Sequence, residues 1–416
     1  AALQPITSSS YSQSVYAGSS RLSGNRYSLE KSSLVSSQSF GDGLKNGFAE
    51  VRNYSFDALG GGFEYDMSRA VSVTKPSMPV LNIQSELSQI RNFSGDMSRT
   101  QNVPLAGVIA DLGDSSRRLS LHFGSASAPI QTFYDFGSAG VQSELTYDAP
   151  YLSEKSGGMA VSVVQTFDKS KYMFGADMVV SDDADNTYGE HTALTIGVET
   201  QWTDTLGTVL LIGESAQDDT FLGLSGSGAY GFEGAVAQSS FVGSKLIFDT
   251  SPSSRFSLTG LIGNSNFNAS DNSLLTGANS VNSSSLAMTF EKFNLLDNDR
   301  LSISLSQPNT VESGSLGVKL TNLPNSNGDL SYSQEAISLT PSGRQLDLGL
   351  TYERTFSKNT SVKAKALVTH DKNHIASNND VYSGFLGVAK GGWLFGAVVA
   401  NDTAPSEVRV SYANRF

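Results

Sequence analysis

The chain contains no cysteine, so disulfides, thiolate zinc sites and cysteine nucleophiles are excluded together. No apolar run approaches the roughly 20 residues of a membrane helix, so if this chain spans a bilayer it does so as a β-barrel. Basic residues are the minority, 28 Lys and Arg against 40 Asp and Glu for a formal charge of −12, which is the wrong balance for a nucleic-acid partner. Charge of either sign is scarce at 16%, while hydrophobic residues make up 38%. That mixture is too apolar for a disordered chain and too uncharged for an ordinary soluble enzyme. The 416 residues would usually divide into two or three domains, but large barrels fold as one unit. The first residue is Ala1, with no Met or apolar leader ahead of it, as in a trimmed export product.

What is present is mostly alternation. Residues 1–35 are Ser/Tyr/Gly-rich without a period and read as a flexible linker or passenger remnant. Residues 36–75 hold short β-prone pieces separated by Gly and read as a β junction. In 76–100 the period changes: Ile83, Leu87, Ile90 and Met97 recur at helical spacing, with Arg91 and Arg99 among the polar positions. This predicts an amphipathic helix over 81–98.

From about 101 to 416 the period is two. Examples are Met159, Val161 and Val163; Leu194, Ile196 and Val198; Leu286, Met288 and Phe290; Leu316, Val318 and Leu320; and Leu346, Leu348 and Leu350. The opposite faces carry Ser, Thr, Gly, Asn and Gln. A sandwich shares this pattern, but many runs here reach nine to twelve residues, the length of a tilted membrane crossing. Short turns (203–205, 249–254, 357–360) alternate with long polar connections (181–190, 268–285), as in outer-membrane barrels. Val408, Val410, Tyr412 and Phe416 form a terminal strand of the kind that barrel-insertion machinery reads. Tyr172, Trp202, Tyr352 and Trp393 stand near strand ends as candidates for interfacial girdles.

Two blocks then carry a family likeness. ISLTPSGRQLDLGLTYERTF at 337–356 with HIASNND at 374–380 resembles the end of the translocator domain of subtilisin-like serine-protease autotransporters. FGDGL at 40–44 followed by FDALGGGFEYDM at 56–67 resembles the junction after the protease domain in that family. The resemblance implies an exported passenger, a helix lodged in the lumen where 81–98 falls, and a C-terminal barrel usually of twelve strands. DVYSGFLGVAKGGWLFGAVVAN after HIASNND departs from the family's single closing strand and implies an extra hairpin. The subtilisin-like triad has no counterpart here, because no serine opens a helix in a GTSMA-type segment and all four histidines lie in the β-region.

Sharper chemistry fares poorly against blander readings. Asp182, Asp183, Asp185, Gly189 and Glu190 suggest calcium, but aligning Gly189 to the loop glycine of an EF-hand puts Ala184 and Thr195 where carboxylates belong. An acidic external loop is the better account, and Asp218 and Asp219 read the same way. His370 and His374 are four apart in a strand-to-loop segment, which does not set them on one face for a metal. Asp347 and Glu353 share a strand face about 20 Å apart, too far to act as a catalytic pair. They suit lumenal partners such as Arg91, Arg99, Lys363 and Lys365. The Gly-rich stretch at 223–234 does not open a helix, so it reads as a flexible loop or bulge and not as a phosphate cradle.

The fold expected is therefore all-β: an antiparallel transmembrane barrel of about 12–14 strands with one amphipathic helix in its lumen. The function expected is an outer-membrane translocator and anchor for a surface-exposed or secreted N-terminal passenger, with no enzymatic activity and no cofactor. Its partners would be outer-membrane lipid, the barrel-assembly machinery and the passenger polypeptide, without nucleic acid. A secreted structural or adhesive β-protein that self-assembles is the alternative, and a porin-like channel or barrel enzyme a weaker one.

Overall fold

A computed structural model describes residues 18–19, 26–27, 33–36, 38–56, 62–73, 106–111, 117–123, 159–167, 169–179, 191–222, 224–269, 273–322, 331–357, 360–376, 380–401 and 406–412. One antiparallel sheet dominates it. Its strands, numbered here in chain order, are β1 (Ala106–Asp111), β2 (Arg117–Phe123), β3 (Met159–Phe167), β4 (Ser170–Val179), β5 (His191–Thr203), β6 (Leu206–Asp218), β7 (Val236–Ser251) and β8 (Ser254–Asn268). They continue as β9 (Leu275–Phe293), β10 (Asp299–Thr321), β11 (Tyr332–Ser338), β12 (Leu346–Ser357), β13 (Thr360–His370), β14 (Val381–Lys390), β15 (Trp393–Ala400) and β16 (Glu407–Tyr412). Every strand pairs with its neighbour in sequence, except that β11 and β12 are two pieces of one pass and both pair with β10. The two ends of the path, β1 and β16, are not paired with each other among the described residues.

This meander follows from the connections. Two-residue turns such as Asp204–Thr205 and Gly391–Gly392 return one strand directly onto the next, and Gly391 adopts φ +55°, which a tight hairpin requires. All the short turns fall at one end of the sheet and the longer connections at the other. The strands also exceed soluble lengths, β7 running 16 residues and β9 running 19.

The faces are inverted relative to a soluble protein. Leu194, Ile196, Ile212, Ile262, Leu286, Ile303, Leu348 and Leu386 are exposed, while Ser162, Thr195, Ser215, Ser239, Ser265, Ser283 and Thr369 on the other face are buried. Ser239 and Ser265 share a hydrogen bond at 2.7 Å within that covered polar face. Along β5 the alternation is unbroken from His191 to Gly197, with His191, Ala193, Thr195 and Gly197 buried and Thr192, Leu194 and Ile196 exposed.

A second group of elements lies on the buried face. Helix α1 (Gly43–Glu50) buries Gly43, Leu44 and Phe48. The segment Arg52–Phe56 forms a hairpin with Gly62–Asp66, and Ser33–Ser36 pairs with both Val71–Val73 and Ser225–Ser227. Phe40, Leu44, Phe48, Met67 and Val71 join Phe221, Tyr230, Phe232, Phe241 and Phe267 in one apolar core near the long-connection end. Phe40 stacks at 6.1 Å from Phe221, Phe232 at 4.8 Å from Phe267, and Phe48 meets Tyr230 edge-on at 5.9 Å. Each buried phenyl contributes roughly 1.5–3 kcal/mol of transfer free energy.

Three expectations change at this level. The 36–75 stretch is not only β, since its FGDGL motif starts α1; eight residues are too few for a periodic signal. The 223–234 stretch is not a loose loop, because Tyr230 and Phe232 are wholly buried and the Tyr230 hydroxyl donates to Met67 Sδ at 3.3 Å. Leu316, Val318 and Leu320 face the core and not the outside: they keep the inward, even-numbered parity of Arg300, Ser302 and Ser306, and at this end of β10 the inward face meets the apolar core. The helix expected at 81–98 lies outside the described residues.

Replacing Leu348, in the middle of the exposed apolar face, by Arg should cost about 2–4 kcal/mol if that face meets lipid. Denaturant titration in lipid vesicles measures this. In a water-exposed sheet the same change would stay within about 0.5 kcal/mol.

Candidate functional site

Aromatic side chains ring the exposed face at the short-turn end. Tyr172, Trp202 and Trp393 are exposed there and Tyr352 is half-buried. Phe167, Phe248 and Phe356 extend the row, with Phe167 edge-on to Tyr172 at 5.9 Å and Arg354 over the Phe356 ring at 4.8 Å. The polar handles point to partners: Trp202 Nε1 donates to Thr208 Oγ1 at 2.8 Å and the Tyr352 hydroxyl to Asp299 Oδ2 at 3.0 Å. From Trp202 to Leu194 is eight residues of β5, which at a tilt of about 40° covers roughly 20 Å, close to the apolar height of a membrane barrel.

Behind this girdle, on the buried face, runs a belt of charges that alternate in sign from strand to strand. Lys171 on β4 stands opposite Glu199 on β5 and pairs with it at 3.4 Å. Asp249 on β7 binds Arg255 on β8 at 2.7 Å, and Arg255 stands opposite Glu291 on β9. Arg300 on β10 reaches Glu291 at 3.6 Å and pairs with Glu353 on β12, whose other oxygen lies 3.5 Å from Lys363 on β13. Lys245 adds a buried cation on β7. Glu291, Arg300, Glu353 and Lys363 are each at most 3% exposed. Charges this deep are tolerated only as neighbours of opposite sign, so the belt is a unit and not a set of independent bridges.

The wall also contains a break. The outer edge of β10 pairs with β12 through Asp299–Ser306 and with β11 through Ser315–Thr321, and residues 307–314 between them have no strand partner on that edge among the described residues. The sequence explains it. Pro308 in β10 has no N–H to give, and Pro341 with Gly343 interrupts the opposing pass. Side chains and the N-terminal elements fill the gap. Arg344 Nη1 donates to Gln307 Oε1 at 2.9 Å and pairs with Glu312, which accepts from Ser284 Oγ. Asn309 Nδ2 donates to Ser39 Oγ at 3.2 Å. Asp42 accepts from the Ser342 N–H at 2.8 Å and from its hydroxyl at 2.7 Å. Those bonds hold the Asp42 carboxyl below the ordinary carboxylate range, against the opposing push of its partial burial. The docking is backbone-close: a Cβ on Gly43 would stand 2.3 Å from the Thr340 carbonyl oxygen.

On the far side of the gap the short 3-10 turn Lys372–His374 closes the arrangement, with His374 1% exposed. Its ring Nδ1 accepts the Gln345 N–H at 3.1 Å and its carbonyl accepts the Gly343 N–H at 2.9 Å. Gln345 Oε1 in return accepts the Asn373 N–H at 2.7 Å.

Of the residues the sequence singled out, Ile83, Leu87, Ile90, Arg91, Met97 and Arg99 lie outside the described residues, as do Phe416 and the 181–190 acidic loop. Val408 and Val410 are exposed on β16 at the edge of the sheet, and the backbone of Tyr412 lies opposite Trp393. Glu353 finds Lys363 as expected, while Asp347 accepts from Thr369 Oγ1 and Gln345 Nε2. His370 and His374 do not converge: His370 is exposed beside Asp380 at 2.8 Å. Among the described residues no group of three or more His, Asp or Glu side chains is placed to hold a metal. The belt combines pairs close in sequence, Asp249 with Arg255, Glu291 with Arg300 and Glu353 with Lys363, with pairs far apart, Lys171 with Glu199 and Arg300 with Glu353, and only strand pairing joins the two kinds. Its signal is charge on the inward parity of a strand a few residues from a short turn.

No family model matches the chain, and no curated protein matches it in sequence. Among solved structures it is similar to the CymD monoaromatic hydrocarbon channel, with 11% identity and a TM-score of 0.33 over 60% of this chain and 78% of that one. It is also similar to a Pseudomonas aeruginosa FadL homologue, with 10% identity and a TM-score of 0.29 over 63% of this chain and 75% of that one. Likeness of this degree carries no functional argument.

Glu353→Ala removes the carboxylate that the buried Arg300 and Lys363 share and should cost about 3–5 kcal/mol, read as a fall in the temperature at which the folded band unfolds on a semi-native gel. Gly43→Val should instead spare the sheet and expel α1, which protease cleavage between residues 50 and 67 reports.

Proposed function

We propose that the chain is an outer-membrane β-barrel that lodges its own N-terminal polypeptide in the lumen and acts as translocator and anchor for what that polypeptide carries. The observation that supports this most directly is the inverted sheet with residues 38–50 and 67–73 packed on its covered face. In hydrocarbon every backbone N–H and C=O needs a partner inside the protein, which a closed antiparallel sheet supplies. Lipid takes the apolar face, the aromatic row takes one interface, and the charged belt keeps the short-turn end of the lumen wet and neutralised. Small Ser, Thr and Gly side chains on the inner wall leave room for an extended chain to pass. The autotransporter-like motif at 40–44 falls in the lodged segment, as does Met67 at the end of the second motif, which agrees with a junction between cargo and pore. The β16 edge strand, carrying Val408 and Val410, is the piece that assembly machinery would read. No catalytic role is proposed.

A second reading is a small-solute channel closed by a fixed plug. The observation that favours it is the complete burial of Phe40, Leu44 and Phe48 in the same core as the wall residues Phe241 and Phe267, which makes the segment part of the folded barrel.

An epitope placed ahead of Ala1 separates the two. The translocator reading expects proteolysis to remove the epitope from whole cells while a periplasmic control survives. An epitope that stays protected, together with solute uptake by vesicles holding protein that lacks residues 1–75, would overturn the translocator in favour of the channel.

A further inference from the structure

Along residues 307–314 the interior of the sheet is held from its surroundings by side chains and loops instead of by a strand on that edge of β10. Three pieces meet there: the 39–44 segment, the 339–345 connection, and the turn Lys372–His374. They are joined in series. His374 binds Gln345 and Gly343; Ser342 Oγ accepts the Ala376 N–H at 3.0 Å; and Ser342 is the residue that Asp42 grips ahead of α1.

We propose that His374 is a proton-operated clasp on this gap: neutral, it ties the 339–345 connection to β10, and protonated, it lets that connection and the docked 39–44 segment swing away from the wall. The chemistry rests on one atom. Nδ1 accepts the Gln345 N–H, so it carries no proton, and the ring's remaining N–H serves the Asn309 backbone across the gap. Adding a proton to Nδ1 sets an N–H against the Gln345 N–H and places a cation where almost no water reaches. The bond to Gln345 is lost, and with it the alignment of Gly343 and Ser342.

The groups facing the ring are mixed in sign. Arg344 from the 339–345 connection opposes the proton, while Glu312 from β10 and Asp371 from its own turn favour it; Asp42 lies one residue pair away through Ser342. Burial outweighs them all and pulls the imidazole down to about 4, in a turn outside the spanning strands. The sign follows: the clasp's contribution is full above the ordinary imidazole value of 6.5 and is lost as pH falls through about 4. Asp371, Asn373 and His374 all hold positive φ, between +47° and +61°, so the turn has a more relaxed backbone available once released.

The inference rests on residues 39–44 lying in the lumen but not on what the barrel carries. The chain has no cysteine, so Ser39→Cys in the full-length protein in outer-membrane vesicles gives a unique thiol beside Asn309. Its reaction with a dipyridyl disulfide, which labels in acid, is divided by that of an exposed Ser331→Cys control. The expected result is a protected thiol at about pH 7.5 whose relative rate rises at least about ten-fold by about pH 4.5. His374→Asn, which keeps an acceptor near Nδ1 but does not titrate, should hold the rate flat. A rate that is flat with pH in the parent, or that rises equally with Asn at 374, overturns the clasp. A thiol already labelled freely at neutral pH overturns both the clasp and the lumenal placement.

Discussion

The side of the sheet that is apolar is the side that is not covered, and the rest of the molecule follows from that. A soluble sheet hides its leucines and wets its serines; this one exposes Leu194, Ile212, Ile262 and Leu348 and buries Ser239, Ser265 and Thr369. A surface so apolar and continuous is stable only against an apolar partner. The covered polar face must then find partners for itself, and small side chains do so by pairing across strands, as Ser239 and Ser265 do.

Two devices manage the interior at opposite ends. Near the short turns, the requirement is met by charge, with Lys171, Glu199, Asp249, Arg255, Glu291, Arg300, Glu353 and Lys363 spread over eight strands so that each meets an opposite sign. Near the long connections it is met by apolar volume, supplied partly by the N-terminal elements through Phe40, Leu44 and Phe48. The break in pairing along residues 307–314 lies on the side where those elements dock. Pro308 and Pro341 interrupt the ladder, and Asp42, Arg344 and His374 replace strand pairing with side-chain bonds. Such bonds can be switched individually, whereas a ladder opens only as a whole.

Much of the sheet was legible because strand period is a short-range property: Leu286, Met288 and Phe290 announce their face without help from elsewhere. That Leu316, Val318 and Leu320 point inward was not legible, because their alternation matches that of an outward strand and only the N-terminal elements packed on that end make its inner face apolar. Helix α1 was missed since the two turns of GLKNGFAE are too short to display an amphipathic repeat and its position is fixed by contacts with residues some 300 positions away, such as Ser342. Glu353 with Lys363 was read from the polar faces of their strands, whereas Glu291 with Arg300, as near in sequence and likewise astride a short connection, was passed over. Trp202 and Trp393 stood out as aromatics near strand ends, whereas Phe167 and Phe356 are exposed in the same row and were not singled out.

The claim on which everything rests is that the exposed face meets lipid chains and the covered face does not. Single cysteines at Ile262 and Ser265, three residues apart on opposite faces of β8, carry a fluorophore into vesicles whose acyl chains are brominated. The account predicts strong quenching from position 262 and little from 265. Equal quenching at the two sites, or none at 262, would contradict it.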